Sequence, residues 1–145
     1  MVGRITMWGA SEILTNFFQG GLTLPENFWL ALTLGAAPNA YVSGAELDEP
    51  LGGSYGRLQL PASTIYWDNA GAPQTITMNK DLSFHTATSD WGTVRYWALC
   101  SADVGGYVYA FGDLIPMAVS EGMTPQIAAD DLSVSLGPFY ADQEM

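Results

Sequence analysis

The chain has 145 residues, of which 48% are hydrophobic and only 13% are charged, so it is long enough to bury a core as one domain. Its 15 acidic residues outnumber four basic ones, and the formal net charge is -11. Such a field repels phosphate backbones and anionic lipid headgroups, which excludes nucleic acid and membranes as expected partners. The low share of charge predicts that a protein partner covers part of the surface.

A single cysteine, Cys100, allows no intrachain disulfide, which fits folding in a reducing cytoplasm. It lies in a β-prone run, where it is expected to be a small core residue and not a nucleophile. No signal peptide is predicted, because the N-terminus has no basic region followed by a long apolar stretch. No apolar run is long enough to span a bilayer.

The first eight residues are apolar and predict an N-terminal arm or an edge strand. A short helix follows, with Ser11 as its expected N-cap and Gly20-Gly21 as its end. Four large apolar residues fall on one face of this helix, namely Ile13, Leu14, Phe17 and Phe18. We expect the helix to dock by this face and to plug one end of a β domain. Deleting residues 1–8 is expected to weaken binding to the partner and to leave the fold intact.

Short β-prone runs separated by glycine and proline turns follow along the chain. Residues 28–34 alternate between the two sides of a strand, and residues 132–136 do the same near the end. Roughly eight or nine such runs recur at intervals of about 8–12 residues. This spacing predicts an all-β fold, a β-sandwich or jelly-roll-like domain over residues 22–137. An arm and helix over 1–21 precede it, and an acidic tail over 138–145 follows.

The most aromatic part of the chain comprises residues 91–100 and 107–112, which flank a turn that contains Gly105-Gly106. These two runs predict a hairpin in the middle of the sheet, with residues 114–116 ending its second strand. The longest irregular segment covers residues 35–54. Loops of this length are uncommon unless they bind something or stay mobile, so this loop is a candidate contact element.

The residues suggest no catalytic site and no cofactor. His85 is the only histidine, so a His-rich metal site is excluded and a catalytic triad has no specific signal. The segment 52–56 is rich in glycine, but it precedes a strand and lacks the lysine of a phosphate loop. Acidic pairs such as Asp48-Glu49 and Asp130-Asp131 leave calcium binding as a minor alternative. We predict that the protein is not an enzyme.

The five tryptophans and seven tyrosines raise the question of sugar binding, because exposed aromatic rings stack on pyranose faces. The alternative is that most of them pack inside the sheet, since aromatic residues favour strands and bury large areas. Trp29 and Trp67 are the two candidates for aromatic side chains exposed on an outer face of the sheet.

Two sequence blocks stand in a distinctive order along the chain. Gly53-Ser54-Tyr55-Gly56-Arg57 ends the long loop, and Trp91-Gly92-Thr93-Val94 later leads into an apolar strand. With the helix before them and the final strand after them, they resemble a family of small virion proteins of tailed bacteriophages. Members are described as tail fibre, head fibre or capsid decoration proteins. The resemblance covers about residues 12–136, and Gly56 departs from the family's usual alanine.

The resemblance implies an oligomeric virion component that is made in the host cytoplasm and has no enzyme activity. Our main hypothesis is a capsid decoration (cement) protein, a homotrimer on the outer surface of the phage head that bridges subunits of the major capsid protein. The alternative is a tail or fibre module for attachment or host glycan binding. The expected partner contacts are Ile5, Met7, Trp8, Phe17, Phe18, Trp29, Tyr41, Leu47 and Trp67.

Overall fold

The computed structural model describes residues 2–20, 25–63, 65–69 and 75–136. Its strands are β1 (Val2–Ile5), β2 (Asn27–Thr33), β3 (Leu58–Pro61), β4 (Trp67–Asp68), β5 (Thr75–Met78), β6 (Leu82–Ser83), β7 (Gly92–Cys100), β8 (Val108–Val119), β9 (Gln126–Ile127) and β10 (Ser133–Ser135). The helix α1 spans Met7–Phe18, and a 3-10 turn spans Gly44–Glu46. The predicted fold class, all-β with a short N-terminal helix, is confirmed. The acidic tail lies outside the described residues.

Eight of these strands form one sheet in the order β3-β2-β7-β8-β1-β10-β5-β4, and β6 pairs with β9 separately. The hairpin β7–β8 lies in the interior of the large sheet, as predicted. The sheet curls so that its two ends approach each other. Phe28 lies on β2, next to one end of the sheet, and Trp67 lies on β4 at the other end, yet their ring centroids are only 6.0 Å apart. The two halves of the curled sheet therefore enclose a core as the layers of a sandwich do.

Strand β1 lies inside this sheet and not at its edge. Gly3 pairs with Gly112 on β8 and with Val134 on β10, so the strand has a neighbour on each side. The expectation of a free arm or an edge strand was wrong. The expectation that residues 1–8 are dispensable for folding fails with it, because their deletion would remove an interior strand.

The helix also begins earlier than predicted. Thr6 is its N-cap, since the Thr6 hydroxyl accepts a hydrogen bond from the backbone N–H of Gly9 at 3.0 Å. The same hydroxyl donates its one proton to the backbone carbonyl of Val108 on β8, and the carbonyl of Tyr109 lies 3.1 Å from it. Ser11 therefore lies inside the helix. The cap fixes the start of α1 against the strand next to β1.

Strand β8 continues past the point where it was expected to end. Its pairing with β7 shifts between the Val94–Met117 pair and the Tyr96–Asp113 pair. Residues 114–116 therefore stand opposite Arg95 alone, as in a β-bulge. A bulge tolerates Pro116 because its residues do not all have to donate to the ladder.

The core within the curl is centred on Trp97, which is fully buried. Gly3 and Gly112 leave room for its indole, since a Cβ on either residue would collide with that ring. A smaller apolar cluster lies on the other face of β2, β7 and β8, and it includes Ala98 and Cys100. Side chains of the long loop cover this second cluster, so the loop packs against the sheet.

Candidate interaction surface

An apolar groove of about 790 Å³ lies between α1 and the sheet. Ile13 and Phe17 line it from the helix, and Phe28 and Ile76 line it from β2 and β5. Ile13 is 44% exposed and Ile76 is 41% exposed, so the groove opens to solvent. We call this feature the apolar groove. Its surface offers contacts to apolar side chains.

Two ionisable residues line the apolar groove, Glu12 and Tyr109. Burial raises the pKa of Tyr109, and the nearby charge of Glu12 raises it further. The Tyr109 phenol therefore stays protonated at neutral pH, and Glu12 supplies the negative charge at the rim. Among residues 2–20, 25–63, 65–69 and 75–136, no group of three or more metal-ligating side chains comes together.

The outward face of α1 carries a second apolar feature, which we call the outer stripe and define as Met7, Ser11, Leu14 and Phe18. Met7 is 54% exposed, Leu14 is 56% exposed and Phe18 is 76% exposed. The helix packs on β8 by the opposite side, where Gly9 is buried. A Cβ on Gly9 would collide with the carbonyl of Tyr109, so a glycine is what lets the helix lie this close.

The prediction that the helix docks by its phenylalanine face was therefore wrong. Phe17 and Phe18 are 71% and 76% exposed, and their rings contact each other edge to face at 5.0 Å. The rotation of the helix follows from the Thr6 cap and the Gly9 contact, which turn the small residue toward the sheet. The large apolar side chains remain available to a partner.

An aromatic cluster stands beside the start of α1. Trp8 stacks on Tyr107 with ring centroids 4.1 Å apart, and it contacts Tyr109 at 5.2 Å. The backbone N–H of Met7 donates to the carbonyl of residue 40 at 3.0 Å, which ties the long loop to the helix. Tyr41 follows directly and is 80% exposed. Tyr41 and Tyr107 thus flank the N-terminal end of the outer stripe.

The structure brings six of the predicted contact residues together around α1, namely Ile5, Met7, Trp8, Phe17, Phe18 and Tyr41. Ile5 is half-buried and lines the apolar groove. Trp29 and Leu47 lie elsewhere, packed half-buried on the second cluster. Trp67 is 9% exposed and lines the apolar groove, so it lies inside the groove and not on an outer face. Glycan binding stays a prediction.

The two sequence blocks that carry the family resemblance contact each other. The indole N–H of Trp91 donates to the carbonyl of Gly53 at 2.8 Å. The rings of Tyr55 and Trp91 meet edge to face with centroids 5.2 Å apart. Gly53 has φ +62 and no room for a Cβ beside Trp91. A Cβ on Gly56 would meet nothing within 4 Å, so the departure from alanine there is sterically neutral.

Arg57 is the residue whose role the sequence did not reveal. Its buried guanidinium donates to both carboxylate oxygens of Glu49 at 2.9 Å and to the carbonyls of Ala102 and Gly105 at 2.8 Å. It also reaches the carbonyl of Gly44 at 3.1 Å. One side chain therefore ties the long loop to the turn between β7 and β8. The available signals were its place at the end of the block 53–57 and its charge as a basic residue in a strongly acidic chain.

The same network determines the charge states of its members. Burial works against the charge of Arg57, but the hydrogen bonds and charge of Glu49 leave the pKa of Arg57 raised. Burial and the hydrogen bond to Glu49, 2.6 Å long, raise the pKa of Tyr55. Arg57 therefore stays charged and Tyr55 stays neutral, as a structural ion pair and its supporting donor require.

Neither Cys100 nor His85, the other two candidates from the sequence, lines the apolar groove. Cys100 is fully buried, and burial raises the pKa of its thiol to about 12. His85 is exposed between β6 and β7. Among the helices of the described part of the chain, none is long and apolar enough to cross a membrane.

The described residues thus form an all-β domain that exposes an apolar groove and an apolar helix face to solvent. The model of one family, described as Podophage GP4 fiber I protein gp80, matches residues 4–135. The chain therefore belongs to this family and is a tailed-phage virion protein of the fibre type. The predicted resemblance to small phage virion proteins is confirmed. No curated protein matches the chain.

Proposed function

We propose that the protein is a structural subunit of a phage fibre and that it attaches to a neighbouring virion protein through the apolar groove. The observation that carries the proposal is this open groove in a chain that belongs to a fibre-protein family. Monomeric proteins rarely leave large apolar surfaces in water unless a partner covers them.

The chemistry of the groove specifies its occupant. A benzene-sized ligand fills a cavity of roughly 150 Å³, so a groove of about 790 Å³ has room for about five large side chains. An amphipathic segment that inserts a row of apolar residues fits this space. Glu12 at the rim and the net charge of -11 favour a partner with basic residues beside that row.

Capsid decoration, with the major capsid protein as partner, is the competing assignment, and copy number separates it from a fibre. Quantitative mass spectrometry of purified particles gives the ratio of this protein to the major capsid protein. We expect a small multiple of three or six per particle, the symmetry of a tail or its fibres. A count on the order of hundreds, in fixed ratio to the capsid subunit, overturns the fibre assignment in favour of decoration.

Attachment through the groove is tested by placing a charge inside it. Ile76→Glu changes a residue that is 41% exposed within the groove, and Ile115→Glu is the control, 82% exposed in the bulge of β8. Both variants are supplied in trans to a phage that lacks the gene. We expect Ile76→Glu to fold but to be incorporated at about one tenth of the wild-type level or less. The partner's apolar side chains would have to cover the new carboxylate and remove its water. Wild-type incorporation overturns the proposed attachment.

A further inference from the structure

We propose that α1 pairs with α1 of a second copy of this chain through the outer stripe, antiparallel about a two-fold axis. This pairing goes beyond attachment to the particle and does not depend on it. It uses the outward face of the helix, whereas the apolar groove lies on the side toward the sheet.

The spacing of the outer stripe is the first argument. Met7, Ser11, Leu14 and Phe18 follow one another at intervals of four, three and four residues. This is the spacing at which two helices bring residues to a common seam. A helix on the surface of a β domain normally turns such a stripe toward the core. Here the buried residue is Gly9, and the stripe faces solvent.

The charge distribution makes a second copy a suitable occupant. Glu12 is the one ionisable side chain in α1, and it lines the apolar groove. Two copies can therefore join their stripes without bringing like charges into contact, although each carries a net charge of -11. The remaining repulsion acts between distant surfaces and is screened beyond about 8 Å at physiological salt. Added salt should then strengthen the pairing, whereas it would weaken binding to a basic partner.

The exposed apolar area of the stripe and its flanks is that of a small specific interface. With roughly 200 Å² for a large aromatic side chain, Phe18 presents about 150 Å². Met7 and Leu14, 54% and 56% exposed, add roughly 140 Å². Tyr41 and Tyr107, 80% and 51% exposed, add about 260 Å² at the same scale. Two copies would thus bury about 1,100 Å² in total, close to the lower limit of roughly 1,200 Å² for a specific interface.

The sizes of the stripe residues select the antiparallel direction. In that arrangement Ser11 lies opposite Leu14 of the second copy, and Met7 lies opposite Phe18. Each small or flexible side chain then meets a large one, which gives the interdigitation that close packing requires. A parallel arrangement would place Ser11 against Ser11 and Phe18 against Phe18, which combines a void with a clash.

Sedimentation velocity of the full chain tests the association. We expect a dimer that tightens with salt, and we expect Leu14→Glu to raise its dissociation constant on the order of 100-fold or more, because symmetry places the charge twice in the contact. The matched control is Ile115→Glu, which adds the same charge at an exposed residue outside the stripe. Circular dichroism and the unfolding midpoint establish that both variants fold.

Several outcomes overturn the pairing. The pairing is overturned if the wild-type protein is still a monomer at millimolar concentration. It is also overturned if the Leu14→Glu variant still forms the dimer. A trimer, the assembly expected from the family resemblance, also excludes the two-fold contact. If only a chain lacking residues 137–145 associates, the chain's own C-terminal segment covers the stripe, and the proposal fails.

Disulfide cross-linking tests the direction of the helices. Met7→Cys and Phe18→Cys are made as single variants, and the buried Cys100 leaves a low background. Antiparallel helices place residue 7 against residue 18 of the second copy, so only the mixture should cross-link. Two copies of residue 7 would then be about 16 Å apart at 1.5 Å per residue. The proposed arrangement is overturned if each variant forms cross-links by itself. It is also overturned if neither the single variants nor their mixture form cross-links.

Because Ile76→Glu leaves the outer stripe unchanged and Leu14→Glu leaves the apolar groove unchanged, the two proposals fail separately. If Ile76→Glu loses incorporation into the particle but still forms the dimer, the result bears on the apolar groove alone. If Leu14→Glu loses the dimer in solution, the result bears on the outer stripe alone.

Discussion

Removal of the Arg57 guanidinium should destabilise the protein more than any surface substitution. Arg57→Met keeps an unbranched chain of similar length but deletes the five hydrogen bonds that the guanidinium donates. It leaves the carboxylate of Glu49, whose side chain is 19% exposed, without its cationic partner. Breaking a buried ion pair on one side costs about 3–5 kcal/mol. The long loop should loosen first, because Arg57 holds it to the turn between β7 and β8.

The assay is urea unfolding followed by tryptophan fluorescence, with the thermal midpoint as a second measure. At about 2–4 °C per kcal/mol for a domain of this size, the midpoint should fall by roughly 6–20 °C. Arg95→Met is the control, since it removes the same charge from an exposed residue on β7 and should change stability by less than about 0.5 kcal/mol. Glu49→Gln in both backgrounds gives the coupling energy. An Arg57→Met protein within about 1 kcal/mol of wild type refutes the structural role assigned to Arg57.

Three further outcomes are expected. Gly9→Ala should displace α1 from β8 and cost about 1–3 kcal/mol, because the new methyl group collides with the Tyr109 carbonyl; an unchanged unfolding midpoint would contradict this. Trp91→Phe should cost about 1 kcal/mol or more, since a smaller aromatic ring replaces the indole and the bond to the Gly53 carbonyl is lost; urea unfolding measures it. Stability should fall as pH rises from about 9 to about 12, because burial raises the pKa of Cys100 to about 12 and the folded protein resists forming the thiolate. Cys100→Ala should flatten that part of the pH profile, and an unchanged slope would count against the linkage.

The parts of the fold that depend on local signals could be predicted from the sequence. Two aromatic runs around Gly105-Gly106 contain within a few residues all that a hairpin needs, and they form β7 and β8. The helix was predicted because Ile13, Leu14 and Phe17 recur at helical intervals. Alternation within short runs was sufficient for the all-β class.

The orientation of the helix and the course of β8 depend on contacts that no local pattern contains. Thr6 is joined to Val108 across more than one hundred residues, and this contact decides which face of α1 turns inward. Pro116 normally ends a strand, yet the bulge opposite Arg95 accommodates it. The role of Arg57 could not be predicted, because its five acceptors come from the long loop and from the distant turn between β7 and β8.

The position of β1 has a consequence for biosynthesis. Strand β1 lies between β8 and β10, and both neighbours follow it in the chain by more than one hundred residues. The ribosome therefore synthesises β1 long before either strand that pairs with it. Such long-range pairing is slow to form. The sheet closes around β1 only after β10 has been synthesised, so formation of this sheet cannot keep pace with translation of its first strands.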